Sequence, residues 1–197
     1  MHEKTPPFNP LIAMFEQATR KAFSCYPELY DRDVSEHICS HILSEFVRTD
    51  RLYWIRDKEG KRLGEIPDML AEGDVLLRAE SMEKELAVQE HIGNFSLFMS
   101  GLFPRDSGRL TNRIPLNMRK DRIYLALYMT LHSTDKGIDY YIIQGRKAYE
   151  KASRIYKGLN DLKASLLKRL SQRFESYVCL MQTINDYLVT PGLVAGT

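Results

Sequence analysis

Two histidines near residue 40 are one helical turn apart. His37 and His41 stand at i and i+4, so on a helix both imidazoles project from one face and could hold a metal ion. Zinc proteases with this spacing place a glutamate directly after the first histidine, whereas Ile38 stands there in this chain. A third ligand would have to come from His91, His132 or an acid on another helix. We therefore predict structural histidines, keep a metal site as the weaker alternative, and expect no cofactor.

A second cluster lies on a predicted helix and consists of Asp139, Tyr141, Gly145, Arg146 and Tyr149. The two tyrosines and the glycine share one helix face, at i, i+4 and i+8, and the two charged residues flank it. Together with His91, the hydroxyls and the gap at the glycine could line a pocket for a flat ligand. We favour the alternative that both rings belong to the core, with their hydroxyls hydrogen-bonded at its rim. No nucleophile and base adjoin the cluster, so even a pocket here indicates binding rather than catalysis.

Two arginines follow the helix that carries the histidine pair. Arg48 and Arg51 could hold a phosphate or a carboxylate through forked hydrogen bonds. Arginines near the last turn of a helix also interact favourably with its negative end. We favour this structural role and keep anion binding as the alternative.

Charge is distributed unevenly along the chain. Residues 146–173 hold nine basic and two acidic side chains, and residues 57–90 hold ten acidic and five basic ones. The basic segment could bind nucleic acid by displacing counterions from phosphates. However, the pI of about 8.4 is below that of a typical DNA-binding domain, and no nucleic-acid-binding motif is recognisable. We therefore expect no nucleic-acid partner and predict that the acidic and basic regions meet within one chain or across a dimer.

The elements that must position these side chains are predicted to be helices. Asn9 and Pro10 are typical of a helix start, because asparagine caps free amide groups and a proline at the first position has none to satisfy. Pro27 ends this helix. A second helix begins at Asp31 or Asp33 and carries apolar residues at four-residue spacing.

A short helix is predicted to start at residues 66–68, and three longer helices follow it in the chain. The helix over residues 81–100 is apolar on nearly every side, which indicates a central position, and Gly93 predicts a close helix–helix approach there. Helices follow over residues 138–156 and 161–188, the second about 40 Å long. Between these elements, we expect a small hairpin near residues 52–64. For residues 119–132 periodicity does not separate helix from strand, and we favour helix.

Three stretches of the sequence follow a recognisable pattern. They are HILSEFVRTDRLYWIRDKEG (41–60), HIGNFSLFMSGLFP (91–104) and IDYYIIQGRKAYEKAS (138–153). Together they are similar to an uncharacterised bacterial protein family that is recognisable only by this pattern. The resemblance implies a self-contained helical domain and no particular activity.

Composition narrows the class of protein. The 197 residues carry a net charge of +2, with 44% hydrophobic and 27% charged side chains, which excludes a disordered chain and a disulfide scaffold. The longest apolar run, residues 123–129, is too short to cross a bilayer, and the first residues lack the apolar core of a signal peptide. Three scattered cysteines fit a reducing compartment. We therefore expect a cytoplasmic protein without a membrane partner.

These observations predict an all-α bundle of six or seven helices, forming one domain over residues 1–197 with flexible ends at 1–8 and 190–197. No phosphate-binding loop, dinucleotide fingerprint or nucleophile elbow occurs in the sequence. We predict a non-enzymatic protein that acts by association with itself or with a protein partner, most simply as a homodimer through its long C-terminal helix. A ligand-binding bundle or an enzyme, with a pocket near Tyr141, Tyr149 and His91, is the alternative.

Overall fold

A computed structural model of the chain describes residues 9–103, except 75, 76, 78 and 80, and residues 137–189. In these two ranges the chain forms eight helices and no strand, which confirms the all-α prediction. The helices are α1 (Pro10–Cys25), α2 (32–46), α3 (Thr49–Leu52), α4 (Ile66–Glu72), α5 (Met82–Leu102), α6 (Gly137–Tyr156), α7 (Asp161–Gln172) and α8 (Phe174–Val189). The predictions for residues 1–8, 119–132 and 190–197 lie outside the described residues.

The first two helices begin where the sequence predicts. The Asn9 side chain accepts a hydrogen bond from the Leu11 amide at 3.1 Å, and α1 ends two residues before Pro27, which starts a short 3-10 turn. Asp31, rather than Asp33, caps α2 by accepting bonds from two amides of its first turn. Both starts are therefore set by side chains that satisfy free backbone donors.

Helix α2 changes its hydrogen-bonding pattern in the middle. It consists of an α-helical turn Arg32–His37, a π-helical segment Ile38–Leu43 and a final turn Ser44–Phe46. The Ser44 hydroxyl donates to the Cys39 carbonyl at 2.7 Å, five residues earlier, and so supports the wider turn. Such segments insert one residue into a helix and often lie at functional sites.

The hairpin predicted near residues 52–64 is reduced to a tight turn. Its first residue, Leu52, closes α3, and a single antiparallel pair joins Arg56 to Arg62. The Asp57 carboxylate accepts bonds from the amides of Glu59 and Lys61, so the turn is held by its own side chain. One antiparallel pair makes too few backbone hydrogen bonds to form a strand. This segment therefore depends on the helices for its stability.

Helix α5 forms the centre of the bundle. Ser81 caps it, and its second half, from His91 to Gly101, is buried on all sides as the sequence predicts. Helices α6 and α8 pack directly against it, and α7 packs against α6. The close approach expected at Gly93 is confirmed, because a β-carbon there would fall less than 3.0 Å from the ring of Tyr149 on α6.

The single C-terminal helix predicted over residues 161–188 is wrong. The helix is interrupted at Arg173, where the backbone leaves helical geometry, and α7 and α8 are separate helices. The break lets α7 pack on α6 while α8 packs on α5 and α1. Directly after it, the Phe174 ring enters the gap left by Gly145 on α6. A straight helix would not place its apolar face against both partners, so packing overrides helix propensity here.

Membrane insertion has no support in the helices that the structure describes, since none of them combines the length and the apolar character needed to span a bilayer.

Candidate functional site

A polar network connects α2, α5 and α6 inside the bundle. Nε2 of His37 lies 2.9 Å from the Asn94 side-chain oxygen, and the Tyr149 hydroxyl donates to the same oxygen at 2.8 Å. All three residues are buried. With the oxygen accepting both bonds, the proton of the neutral imidazole is on Nε2. The network therefore ties the histidine-bearing helix to the centre of the bundle.

Burial changes the protonation of this network. Loss of solvent lowers the pKa of His37 from 6.5 to about 4, and the nearby His41 adds to this effect, while the bond to Asn94 opposes it. Burial likewise raises the pKa of Tyr149 far above its usual value. Both groups are consequently neutral at physiological pH, which suits a structural hydrogen-bond network.

A surface groove opens beside His37, between α2 and the start of α7. Its volume is about 350 Å³. Asp33, Glu36, His37 and His41 line it from α2, and Asn160, Leu162, Lys163 and Leu166 line it from the other side. The α2 side thus carries two carboxylates, and the opposite side carries one ammonium group and two leucines.

Most charges around this groove are already paired. Lys163 contacts Glu90 of α5 at 2.8 Å, and Arg169 contacts Asp31 and Asp33 at 2.8 Å each. The Tyr156 hydroxyl also donates to Glu90, at 3.1 Å. These pairs join α7 to α2 and α5, so they hold the groove walls together.

The histidine pair lines this groove but forms no metal centre with its neighbours. The rings of His37 and His41 lie 5.2 Å apart, and Nε2 of His37 is engaged by Asn94. In the described ranges, no group of three or more His, Cys, Asp or Glu residues could hold a metal ion.

The tyrosine cluster lies in the core. Tyr141 and Tyr149 are buried, and burial raises the pKa of both hydroxyls. The space above Gly145 is filled by Phe174 and Ser96. Asp139 is half-buried in the first turn of α6, and Arg146 is exposed. The glycine therefore serves helix packing, which is the interpretation favoured by the sequence.

His91 lies in an aromatic surrounding. Its ring is 5.3 Å from Phe46, 5.6 Å from Trp54 and 6.0 Å from Phe95, which also contacts Tyr141. Burial lowers the pKa of His91 to about 4, and a hydrogen bond with the Leu52 backbone opposes this shift. Its Nε2 has no hydrogen-bond partner among the described residues.

The two arginines after α2 do not converge on one site. Arg48 pairs with Asp50 at 3.2 Å, and Arg51 pairs with Glu45 at 3.3 Å. All four side chains are largely exposed. Each guanidinium thus has its own carboxylate, and such exposed pairs contribute little to stability.

The basic segment is largely neutralised by acids of the same chain. Five of its nine basic residues form ion pairs: Lys151, Arg154, Lys163, Lys168 and Arg169. Two of the acids involved, Glu85 and Glu90, belong to α5 and to the acidic segment. The acidic and basic regions therefore form ion pairs with each other within one chain, as predicted.

Sequence reasoning missed most residues of this site. Asn94 connects the network, and besides the two histidines the groove is lined by Asp33, Glu36, Asn160, Leu162, Lys163 and Leu166. The only available signal was the asparagine itself, a polar residue inside the apolar run HIGNFSLF. The wall residues carry no local pattern, because their position depends on where α7 packs.

No protein-family model matches the chain, and no curated protein or solved structure matches it either. The resemblance of three stretches to a bacterial family therefore stays a prediction.

Proposed function

We propose that the protein acts by association rather than by catalysis, and that its partner is a second copy of the same chain. The observation that carries this proposal is a pair of exposed leucines that flank the beginning of α7, one just before it and one in its first turn. Leu162 is 87% exposed and Leu159 is 73% exposed, and Leu162 forms part of the groove wall. Grouped apolar side chains at a surface are typical of interaction sites.

Charge favours a second copy over an unrelated partner. The α2 wall of the groove carries Asp33 and Glu36, and the α7 wall carries Lys163. In a twofold dimer whose axis runs along the groove, the α7 wall of one copy faces the α2 wall of the other. Lys163 and Asp33 are already paired within the chain, with Glu90 and Arg169, so the dimer would extend these ion pairs across the axis. The contact of Arg169 with Asp31 and Asp33 already shows this α7–α2 pairing within one chain.

This surface lies at the beginning of the segment that the sequence predicts as the C-terminal helix. Farther along that segment, most of the apolar stripe packs inside the chain: Leu170, Phe174, Tyr177, Met181 and Ile184 are all buried. Leu162 precedes these residues and stays exposed, so it is available for association.

Sedimentation velocity tests this proposal with the matched variants Leu162→Glu and Val189→Glu. Val189 is also 73% exposed but lies at the end of α8 and does not line the groove. We expect the parent protein and Val189→Glu to change from monomer to dimer as the protein concentration rises from roughly 1 to 100 μM. This range corresponds to a micromolar dissociation constant. Leu162→Glu should stay monomeric, because a charge would be buried at the centre of the contact.

Two results would contradict the proposal. A parent protein that is monomeric over the whole concentration range rules out the second copy as partner. A Leu162→Glu variant that dimerises as strongly as the parent shows that another surface is used.

A further inference from the structure

A second groove lies between α1 and α2. Its volume is about 570 Å³, within the range of pockets for small ligands. Residues of α1 line one wall and residues of α2, including Cys39 of the π-helical segment, line the other. This groove does not contain the leucine pair, and Glu36 is the one lining residue that it shares with the first groove.

A buried hydroxyl in this groove lacks a hydrogen bond. Thr19 is only 2% exposed, and its hydroxyl has no partner among the residues that the structure describes. Buried hydroxyls are normally satisfied, because leaving one without a bond costs free energy. A ligand that bonds to Thr19 would recover this energy, so the groove has a built-in point of attachment.

The groove carries equal numbers of acidic and basic side chains. Each wall carries one acid and one base a helical turn apart, Glu16 with Arg20 on α1 and Arg32 with Glu36 on α2. The pair on α1 is loose and exposed, at 3.6 Å. A simple anion would meet two carboxylates here, and a simple cation would meet two guanidinium groups. A ligand that carries both charges can pair with both kinds of side chain.

An aromatic ring completes the rim. Tyr30 is 63% exposed, and its ring stands edge-on to Phe23 with the centroids 5.7 Å apart. This contact supports the ring from one side and leaves it available to an apolar group on the other. Rings in such positions commonly contribute to ligand binding.

We infer that this groove binds a small zwitterion of the amino-acid type. The ligand carboxylate accepts hydrogen bonds from an arginine and from the Thr19 hydroxyl. Its ammonium group faces a glutamate, and its side chain lies against the Tyr30 ring. No covalent step is involved, so the site is a binding site only.

Thermal denaturation with a panel of ligands tests this inference. The panel contains the twenty standard amino acids, acetate and methylamine, followed by the N-acetyl and amide forms of the best ligand. At about 100 times its Kd, that ligand should raise Tm by roughly 5–10 °C. Each blocked form should bind at least about tenfold more weakly, because it lacks one of the two charges.

Three variants separate the binding role from a structural one. Thr19→Val keeps the shape of the side chain and removes the hydroxyl, so we expect about tenfold weaker binding with an unchanged or higher Tm of the free protein. Arg32→Gln should weaken binding by a similar factor. The control Arg51→Gln removes another exposed guanidinium, outside the groove, and should bind like the parent.

Several outcomes would overturn the inference. One is that no amino acid shifts Tm. Another is that acetate or methylamine alone binds as well as the best amino acid, which shows a simple ion site. Unchanged affinity in Thr19→Val and Arg32→Gln places the ligand elsewhere, and binding of mixed-charge peptides alone indicates a protein partner instead.

Discussion

Two buried histidines should make the stability of this protein fall steeply in mild acid. Burial lowers the pKa of both His37 and His91 to about 4, whereas a histidine in the unfolded chain titrates near 6.5. Between these values the unfolded state binds more protons than the folded state. The free energy of unfolding therefore decreases as the pH falls from 6.5 towards 4, and the full stability is present above 6.5.

The size of the effect follows from the two pKa values. One pKa unit corresponds to 1.36 kcal/mol, so at about pH 5 each histidine lowers the free energy of unfolding by about 2 kcal/mol relative to about pH 8. Both together give about 4 kcal/mol, a large part of the 5–15 kcal/mol that holds a typical domain folded. Carboxylates with lowered pKa, such as Glu83 and Glu150, act mainly below this pH range because their usual pKa is already lower.

Urea denaturation at about pH 8, 6 and 5 measures this dependence. The variant His91→Phe keeps an aromatic ring among Phe46, Trp54 and Phe95 and removes one titrating group. We expect it to halve the loss of stability between pH 8 and pH 5. The control Phe98→Leu shortens a buried side chain of α5 and lowers stability without removing a histidine. Its loss of stability between about pH 8 and pH 5 should therefore equal that of the parent. A His91→Phe variant with the full pH dependence would refute the reasoning.

Two further predictions concern the packing of α6. Tyr149→Phe should lower the free energy of unfolding by about 1 kcal/mol and Asn94→Ala by about 3 kcal/mol, because the second change also leaves His37 without its partner. In urea denaturation, their effects should be clearly less than additive, and full additivity would show that the network does not act as a unit. Gly145→Ala should lower stability by about 1–3 kcal/mol by overpacking, although helix propensity alone favours alanine. Adding Phe174→Leu should restore part of this loss, and a more stable Gly145→Ala protein would contradict the packing.

Short-range features of the fold could be predicted from the sequence. The starts of α1 and α2 at Asn9 and Asp31 depend only on a side chain reaching an amide two or three residues away. The central position of α5 follows from its uninterrupted apolar surface, and the close approach at Gly93 follows from a missing side chain. Each of these properties is contained within one turn or one helix.

The candidate site could be predicted only in part. His37 and Tyr149 were singled out separately, but their common partner Asn94 lies more than fifty residues from either. Nothing in the local pattern distinguishes a tyrosine at a pocket from one in the core. The difference arises from the Phe174 ring, which occupies the space above Gly145.

The sequence by itself determined the long helices up to residue 156 and their apolar faces, because hydrogen bonds and side-chain periodicity act over a few residues. Only the tertiary structure decided that the C-terminal helix breaks at Arg173, that both tyrosines are enclosed, and that Leu162 is left outside. These outcomes depend on how several helices share limited space around α5. The sequence of any single helix does not show how this competition for space is resolved.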